Sequence, residues 1–156
     1  MNIVFVDDEP MVLSAIERAL FDRDWEINCF TEGKEAVSFM LQEPVDIIVS
    51  DMRMPKMGGA ELLERVCCLS PATVRIVLSG QTDQEASIKA CMTAHYWLDK
   101  PCDNEQLAQL LERIETGLNQ MPSTEVKTAI GRIKHLPSPP NVYIRVREVM
   151  ESDSVS

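Results

Sequence analysis

Short apolar runs alternate with helix-patterned segments five times in residues 1–120, and this alternation constrains the fold more than any other feature of the chain. The runs are 2–6, 26–30, 45–50, 74–78 and 95–98. The central ones are nearly continuous in Val, Ile and Leu, as strands covered on both faces are. Between them lie stripes of helical spacing: Val12, Ala15, Ile16, Ala19 and Leu20; Ala36, Val37, Met40 and Leu41; Leu62, Leu63, Val66 and Cys67; and Leu107, Leu110, Leu111, Ile114 and Leu118. Residues 82–92 are only weakly patterned, with Ala86, Ala90 and Cys91 as small candidates for burial. Pro10 suits a first helical turn, Thr31 is positioned as a cap, and Thr82–Glu85 and Asp103–Gln106 read as capping boxes. Pro44 and Pro71 end their segments. Such alternation calls for a parallel sheet with right-handed crossovers and helices on both faces. Five strands are too few for an eight-stranded barrel and suit the doubly wound order 2-1-3-4-5.

Composition narrows the function classes. At 156 residues, 45% hydrophobic and 26% charged, the chain holds one domain with an appendage. No apolar run is long enough to span a membrane, and residues 1–6 lead into Asp7-Asp8-Glu9 rather than a signal peptide, so a cytoplasmic location is expected. The five cysteines form no CxxC pair and suit neither a disulfide framework nor a zinc site. Residues 1–120 carry 21 acids against 10 Lys and Arg, and residues 121–156 carry 4 against 5. A domain at −11 repels a phosphate backbone, which argues against direct nucleic-acid binding by residues 1–119 but leaves room for a cation.

The flavodoxin-like order 2-1-3-4-5 makes strands one, three, four and five spatial neighbours, and ligands bind at the carboxyl ends of strands in such sheets. Those ends are Asp7-Asp8, Asp51, Ser79 and Lys100-Pro101, whereas the edge strand ends in Cys29-Phe30. Two carboxylates ~5 Å apart repel by roughly 3 kcal/mol at an effective dielectric of ~20, so three of them call for a cation or a shared proton. Mg²⁺ is satisfied by one or two carboxylates with waters and phosphate oxygens. Beside it, Lys100 would let Asp51 remain an anionic nucleophile toward a phosphoryl group. Singly, each residue also has a structural explanation: helix-terminal acids, a loop lysine, a turn serine.

Val6-Asp7-Asp8-Glu9-Pro10, the stretch from Val49 to Gly59, Leu78-Ser79-Gly80 and Leu98-Asp99-Lys100-Pro101 together resemble the receiver domain of two-component response regulators. The resemblance covers residues 1–119. It implies that Asp51 accepts a phosphoryl group from the phosphohistidine of a sensor histidine kinase, or slowly from a small phosphodonor, the domain catalysing its own phosphorylation and dephosphorylation. It further implies that Asp8, Asp51 and the backbone carbonyl of Arg53 ligate Mg²⁺ directly, with Asp7 acting largely through water. Ser79 occupies the switch hydroxyl position and Trp97 the switch aromatic position, usually Tyr or Phe. Phosphorylation would draw Ser79 inward, let Trp97 rotate and change the surface formed by segment 82–92, the fifth strand and the last helix, with homodimerisation one available consequence. Arg53 and Gln81 take the positions that tune phosphoaspartate lifetime. Aspartyl-phosphate phosphatases also attack through a strand-end Asp but need a second Asp two residues on, and position 53 is Arg. A phosphorylation-independent interaction module is the remaining alternative.

Past Leu118 the character changes. Val126, Ala129, Ile130 and Ile133 form a short amphipathic stripe, and Val142, Ile144, Val146, Val149 and Met150 a further apolar segment. Residues 120–156 are too few to close a core alone. Residues 133–143, IKHLPSPPNVY, resemble the opening of an HDOD output domain. The expectation is a linker with the truncated beginning of an output domain belonging to a longer regulator, a cyclic-dinucleotide phosphodiesterase of the HD type being the other output considered.

Overall fold

The computed structural model describes residues 1–80 and 93–121. Five strands, β1 (Asn2–Val6), β2 (Glu26–Phe30), β3 (Ile47–Asp51), β4 (Val74–Ser79) and β5 (Tyr96–Asp99), form one parallel sheet ordered β2-β1-β3-β4-β5. The described helices are α1 (Pro10–Ala19), α2 (Gly33–Met40), α3 (Gly59–Leu69) and α4 (Asn104–Gln120). The doubly wound order expected from the alternation is the order found. The 82–92 capping box and helix, Gln81, and every expectation for residues 122–156 lie outside the described residues.

Side-chain alternation along each strand divides the interior into two layers. Ile3 and Phe5 of β1, Ile47 and Val49 of β3, and Val74, Ile76 and Leu78 of β4 face α1 and α4. Val4, Val6, Ile48 and Val77 face the other way, toward α2 and α3. β1, β3 and β4 are buried on both faces, whereas edge strand β2 starts at an exposed Glu26 and is half-buried from Ile27 to Phe30. Leu62, Leu63, Val66 and Leu111 are fully or almost fully sequestered; truncating one such leucine to alanine costs about 2–5 kcal/mol.

The local readings hold with several adjustments, among them Leu41 of the second stripe, which is 65% exposed. α1 buries Leu13, Ile16 and Leu20, while Ala19 is exposed. The helix is rolled so that the large Leu13, rather than a small alanine, removes apolar area from water. Thr31 is exposed and does not cap α2; Glu32 is the N-cap residue and makes no side-chain cap bond. β3 begins at Ile47 rather than Val45, and β5 is displaced by one residue from 95–98. Cys67 is only half-buried. The second capping box starts where expected, with Asp103 Oδ1 accepting from the Glu105 N–H at 3.2 Å.

The four described cysteines are free thiols. Burial, then the nearby Glu17 charge and its hydrogen bond, push Cys29 up to about 12, which leaves it inert at neutral pH. No described helix is long and apolar enough to cross a membrane.

Candidate phosphoacceptor site

Asp7, Asp51 and Lys100 reach one place because they continue three aligned rows of the sheet. Residues 3, 5 and 7 of β1, 47, 49 and 51 of β3, and 96, 98 and 100 of β5 share parity, the last two rows being linked through 74, 76 and 78 of β4. The ladder persists past the strand ends: the Met52 N–H donates to the Leu78 carbonyl at 3.0 Å, and the Lys100 N–H to the Ser79 carbonyl at 2.7 Å. Apolar rows thus terminate in carboxylates and an ammonium where the sheet meets solvent.

Lys100 Nζ lies 2.9 Å from Asp51 Oδ1 and 3.2 Å from Asp7 Oδ2. Asp51 is 7% exposed and Asp7 3%, so the ammonium bridges two nearly buried carboxylates. Asp7 Oδ1 also accepts from the Glu9 N–H at 2.9 Å, which fixes its orientation at the start of α1. Asp51 Oδ1 accepts from the Met52 N–H at 2.9 Å. Exposed Asp8 joins them: one carboxylate oxygen from each of Asp7, Asp8 and Asp51 lies within 4.8 Å of the others.

Burial raises the pKa of Asp51; the Lys100 hydrogen bond and charge oppose this without cancelling it, and the Asp7 charge adds to it. Burial lowers Lys100, but the bonds and charges of Asp51 and Asp7 outweigh it and leave Lys100 raised. The ammonium is therefore held protonated while the carboxylate beside it is more basic than an ordinary one. Three hard oxygen donors in this spacing fit Mg²⁺, which receiver domains generally bind at an acidic pocket.

The remaining sequence candidates take different stations. Buried Ser79 ends β4, and its hydroxyl donates to the Gly80 carbonyl at 3.1 Å. Trp97 pairs in register with Val77 and packs, half-buried, against the layer facing α2 and α3. Arg53 is exposed two residues beyond Asp51. Sequence reading expected Lys100 beside Asp51 but not that it would also grip Asp7.

Three contributors went unread in the sequence. Met52, Met54 and Met57 bury the loop that follows Asp51. Lys56 adopts φ 68° while the Met57 N–H donates to the Pro55 carbonyl at 2.8 Å, forming a γ-turn. Gly59 comes so close to the backbone of Asp51 that a Cβ there would stand 2.2 Å from the Asp51 carbonyl oxygen. The paired glycines Gly58 and Gly59 after Pro55 were the available signal.

Residues 3–112 match the family model described as "Response regulator receiver domain". A transcriptional regulatory protein of Bacillus subtilis, YesN, is 32% identical over 142 residues, 86% of this chain and 37% of that protein. Among solved structures, an uncharacterized protein from Neptuniibacter caesariensis superposes with TM-score 0.69 at 32% identity, covering 72% of this chain and 85% of that one. The chemotaxis response regulator CheY4 of Vibrio cholerae does so with TM-score 0.66 at 28% identity, covering 72% and 97%. The chain thus spans well under half the length of the curated relative. Its sheet order, strand-edge chemistry and matched residues lead to one assignment: the chain belongs to the response regulator receiver domain family of two-component systems.

Proposed function

We propose that Asp51 accepts a phosphoryl group from a sensor histidine kinase, or slowly from a small phosphodonor, in a Mg²⁺-dependent transfer that the domain itself catalyses. The observation that carries this reading is the buried Asp51 carboxylate, 2.9 Å from Lys100 Nζ and within 4.8 Å of two further aspartates at the carboxyl edge of the sheet. Asp8, Asp51 and the Arg53 carbonyl would hold Mg²⁺, with Asp7 contributing through water, and the ion would supply neutralisation of phosphoryl charge.

An Asp51 oxygen forms the new P–O bond as the bond from phosphorus to the donor breaks and its electron pair leaves with the donor's imidazole or acyl oxygen. Little covalent work is asked of the rest of the site; positioning and charge compensation supply the catalysis. The Met52 N–H and Lys100 keep Asp51 oriented before transfer. Lys100 is the side-chain cation placed to transfer its hydrogen bond from the carboxylate to a phosphoryl oxygen.

Once phosphorylated, Asp51 carries added charge of about −1.5 to −2 and new acceptors. Ser79 is the hydroxyl placed at the neighbouring strand end to donate to them, and Trp97 the ring that would reposition on β5. Arg53 and Gln81 would govern water access, so their replacement is expected to change dephosphorylation more than phosphate acceptance. The domain boundary we assign is 1–119 for the receiver, with 120–156 as linker and the beginning of an HDOD-like output region, supported by residues 133–143. The site chemistry fits a cytoplasmic protein that meets its kinase there.

Incubation with acetyl phosphate or beryllofluoride in the presence and absence of Mg²⁺, followed by Trp97 fluorescence, tests this reading. A Mg²⁺-dependent response abolished in Asp51→Asn is expected. A protein that keeps its fold but shows no response would instead be a phosphorylation-independent interaction module.

A further inference from the structure

Among the described residues, Lys56 is the one non-glycine with positive φ, at 68°. Strain of this kind persists only where the surroundings over-determine the backbone, and it gathers at functional sites. Here the surroundings act from two sides. On the β3 side, the Met57 N–H donates to the Pro55 carbonyl at 2.8 Å, the Gly59 N–H to the Met52 carbonyl at 2.9 Å, and the Met52 N–H to the Leu78 carbonyl at 3.0 Å. On the α2 side, Met57 is 8% exposed and packs in the layer that holds Ala36 and Leu62. Gly33, the first residue of α2, lies so close to it that a Cβ there would stand 2.9 Å from Met57 Sδ and 3.4 Å from its Cγ. Lys56 Nζ also reaches Glu32 Oε1, at 2.8 Å.

Residues 52–58 are therefore braced between the end of β3 and the start of α2, with Arg53 inside the span. The two contacts with α2 differ in weight. The Lys56 and Glu32 side chains are 74% and 45% exposed, so water screens their pair and it holds little. The Met57 contact is buried and close-packed, and it exists only because residue 33 carries no side chain.

We propose that Met57 and Gly33 are positioning residues of the acidic site: their contact sets where the Arg53 backbone lies relative to Asp8 and Asp51, and so how tightly the site takes Mg²⁺. This rests on the Mg²⁺ reading given above and names what tunes it. Groups that orient a metal's ligands without being ligands themselves change affinity by about 10–100-fold when removed.

Calorimetric titration of the 156-residue chain with MgCl₂ tests it, with the melting temperature in chelator recorded for each variant. Met57→Ala should raise the Kd for Mg²⁺ about tenfold or more. Met57→Leu, which conserves volume, should bring it back to within about twofold of wild type. Gly33→Ala, a milder push on Met57, should weaken binding several-fold. Glu32→Gln should leave Kd within about twofold, because the exposed pair holds little. A purely structural role would lower the melting temperature in chelator while leaving the Kd of the folded protein unchanged. Wild-type Kd in both folded Met57→Ala and Gly33→Ala would overturn the proposal, as would a loss in Glu32→Gln as large as in Met57→Ala. A wild-type chain that binds no Mg²⁺ would defeat the metal reading itself and the proposal with it. Binding that Asp8→Asn removes leaves that reading standing, so that the Met57 and Gly33 variants test the positioning role alone.

Discussion

Replacing Gly59 by alanine puts a methyl group into the backbone of the phosphoacceptor. The new Cβ would stand 2.2 Å from the Asp51 carbonyl oxygen and 3.0 Å from both the Asp51 carbonyl carbon and the Met52 Cα. Ordinary contact begins at 3.4 Å, so the separation must open by about 1.2 Å, the difference of 3.4 and 2.2. No flexible side chain can yield, because all three atoms are main chain. The Gly59 N–H bonds the Met52 carbonyl at 2.9 Å, and the Met52 N–H bonds Leu78, so relief requires displacing either the start of α3 or the end of β3. Overpacking of this kind costs about 3 kcal/mol or more, lowering the melting temperature by roughly 10 °C in a domain of this size. A shift of about 1 Å at a reacting group lowers rate by about 10²-fold. Thermal unfolding monitored by circular dichroism, together with the initial rate of Mg²⁺-dependent labelling by acetyl phosphate, reads both effects. Gly117→Ala is the counterpart: nothing lies within 4 Å of its Cβ in the last turn of α4, and a gain of up to about 0.5–1 kcal/mol is expected. A Gly59→Ala protein with wild-type melting temperature and labelling rate would refute the reasoning.

Three further outcomes follow from individual groups. Arg75 is 1% exposed and donates to the carbonyls of Thr93, Thr73 and Pro71 at 2.6, 3.1 and 3.3 Å, with the buried His95 ring 3.0 Å away. Arg75→Met leaves these acceptors short of donors and should lower stability by about 2–4 kcal/mol, seen as a fall in urea midpoint at unchanged slope, without altering Asp51 labelling. Asp8 is exposed and makes little demand on the fold, so Asp8→Asn should melt like wild type in chelator but lose the stabilisation that Mg²⁺ confers, about 2.7 kcal/mol at a hundredfold excess over Kd. Cys29, raised to about 12, keeps its proton in the folded state at pH values where the unfolded thiol has ionised. Its contribution is therefore complete below about pH 9 and declines as pH rises toward 12, and Cys29→Ala should flatten that alkaline loss by about 1–2 kcal/mol in denaturant titrations near pH 10.5.

Much of the fold was legible because its determinants are local and repetitive. Strands of Val and Ile and helical stripes of Leu alternate with little ambiguity, and handedness follows from the connections, whereas the sheet order was an inference from the fold class. The site was legible for the same reason: Asp7, Asp51, Ser79 and Lys100 sit directly at strand ends, where topology alone gathers them. What escaped reading depends on contacts distant in sequence. Arg75 looks like an ordinary strand residue until His95 and Thr93 close around it. Nothing near Leu13 distinguishes it from Ala19 until α4 supplies the opposing layer. Thr31 has the chemistry of a cap, yet the extended backbone that precedes α2 is at Glu32. The double role of Lys100 emerges only from the parity of three strands.

The central claim is that Asp51 is a Mg²⁺-dependent phosphoacceptor. Intact-mass measurement after acetyl phosphate treatment, with the modified residue mapped by fragmentation, tests it most directly. A single phosphoryl adduct on Asp51, absent in chelator and absent in Asp51→Asn, is predicted. An adduct on another residue, or labelling that survives either chelator or the substitution, would contradict it.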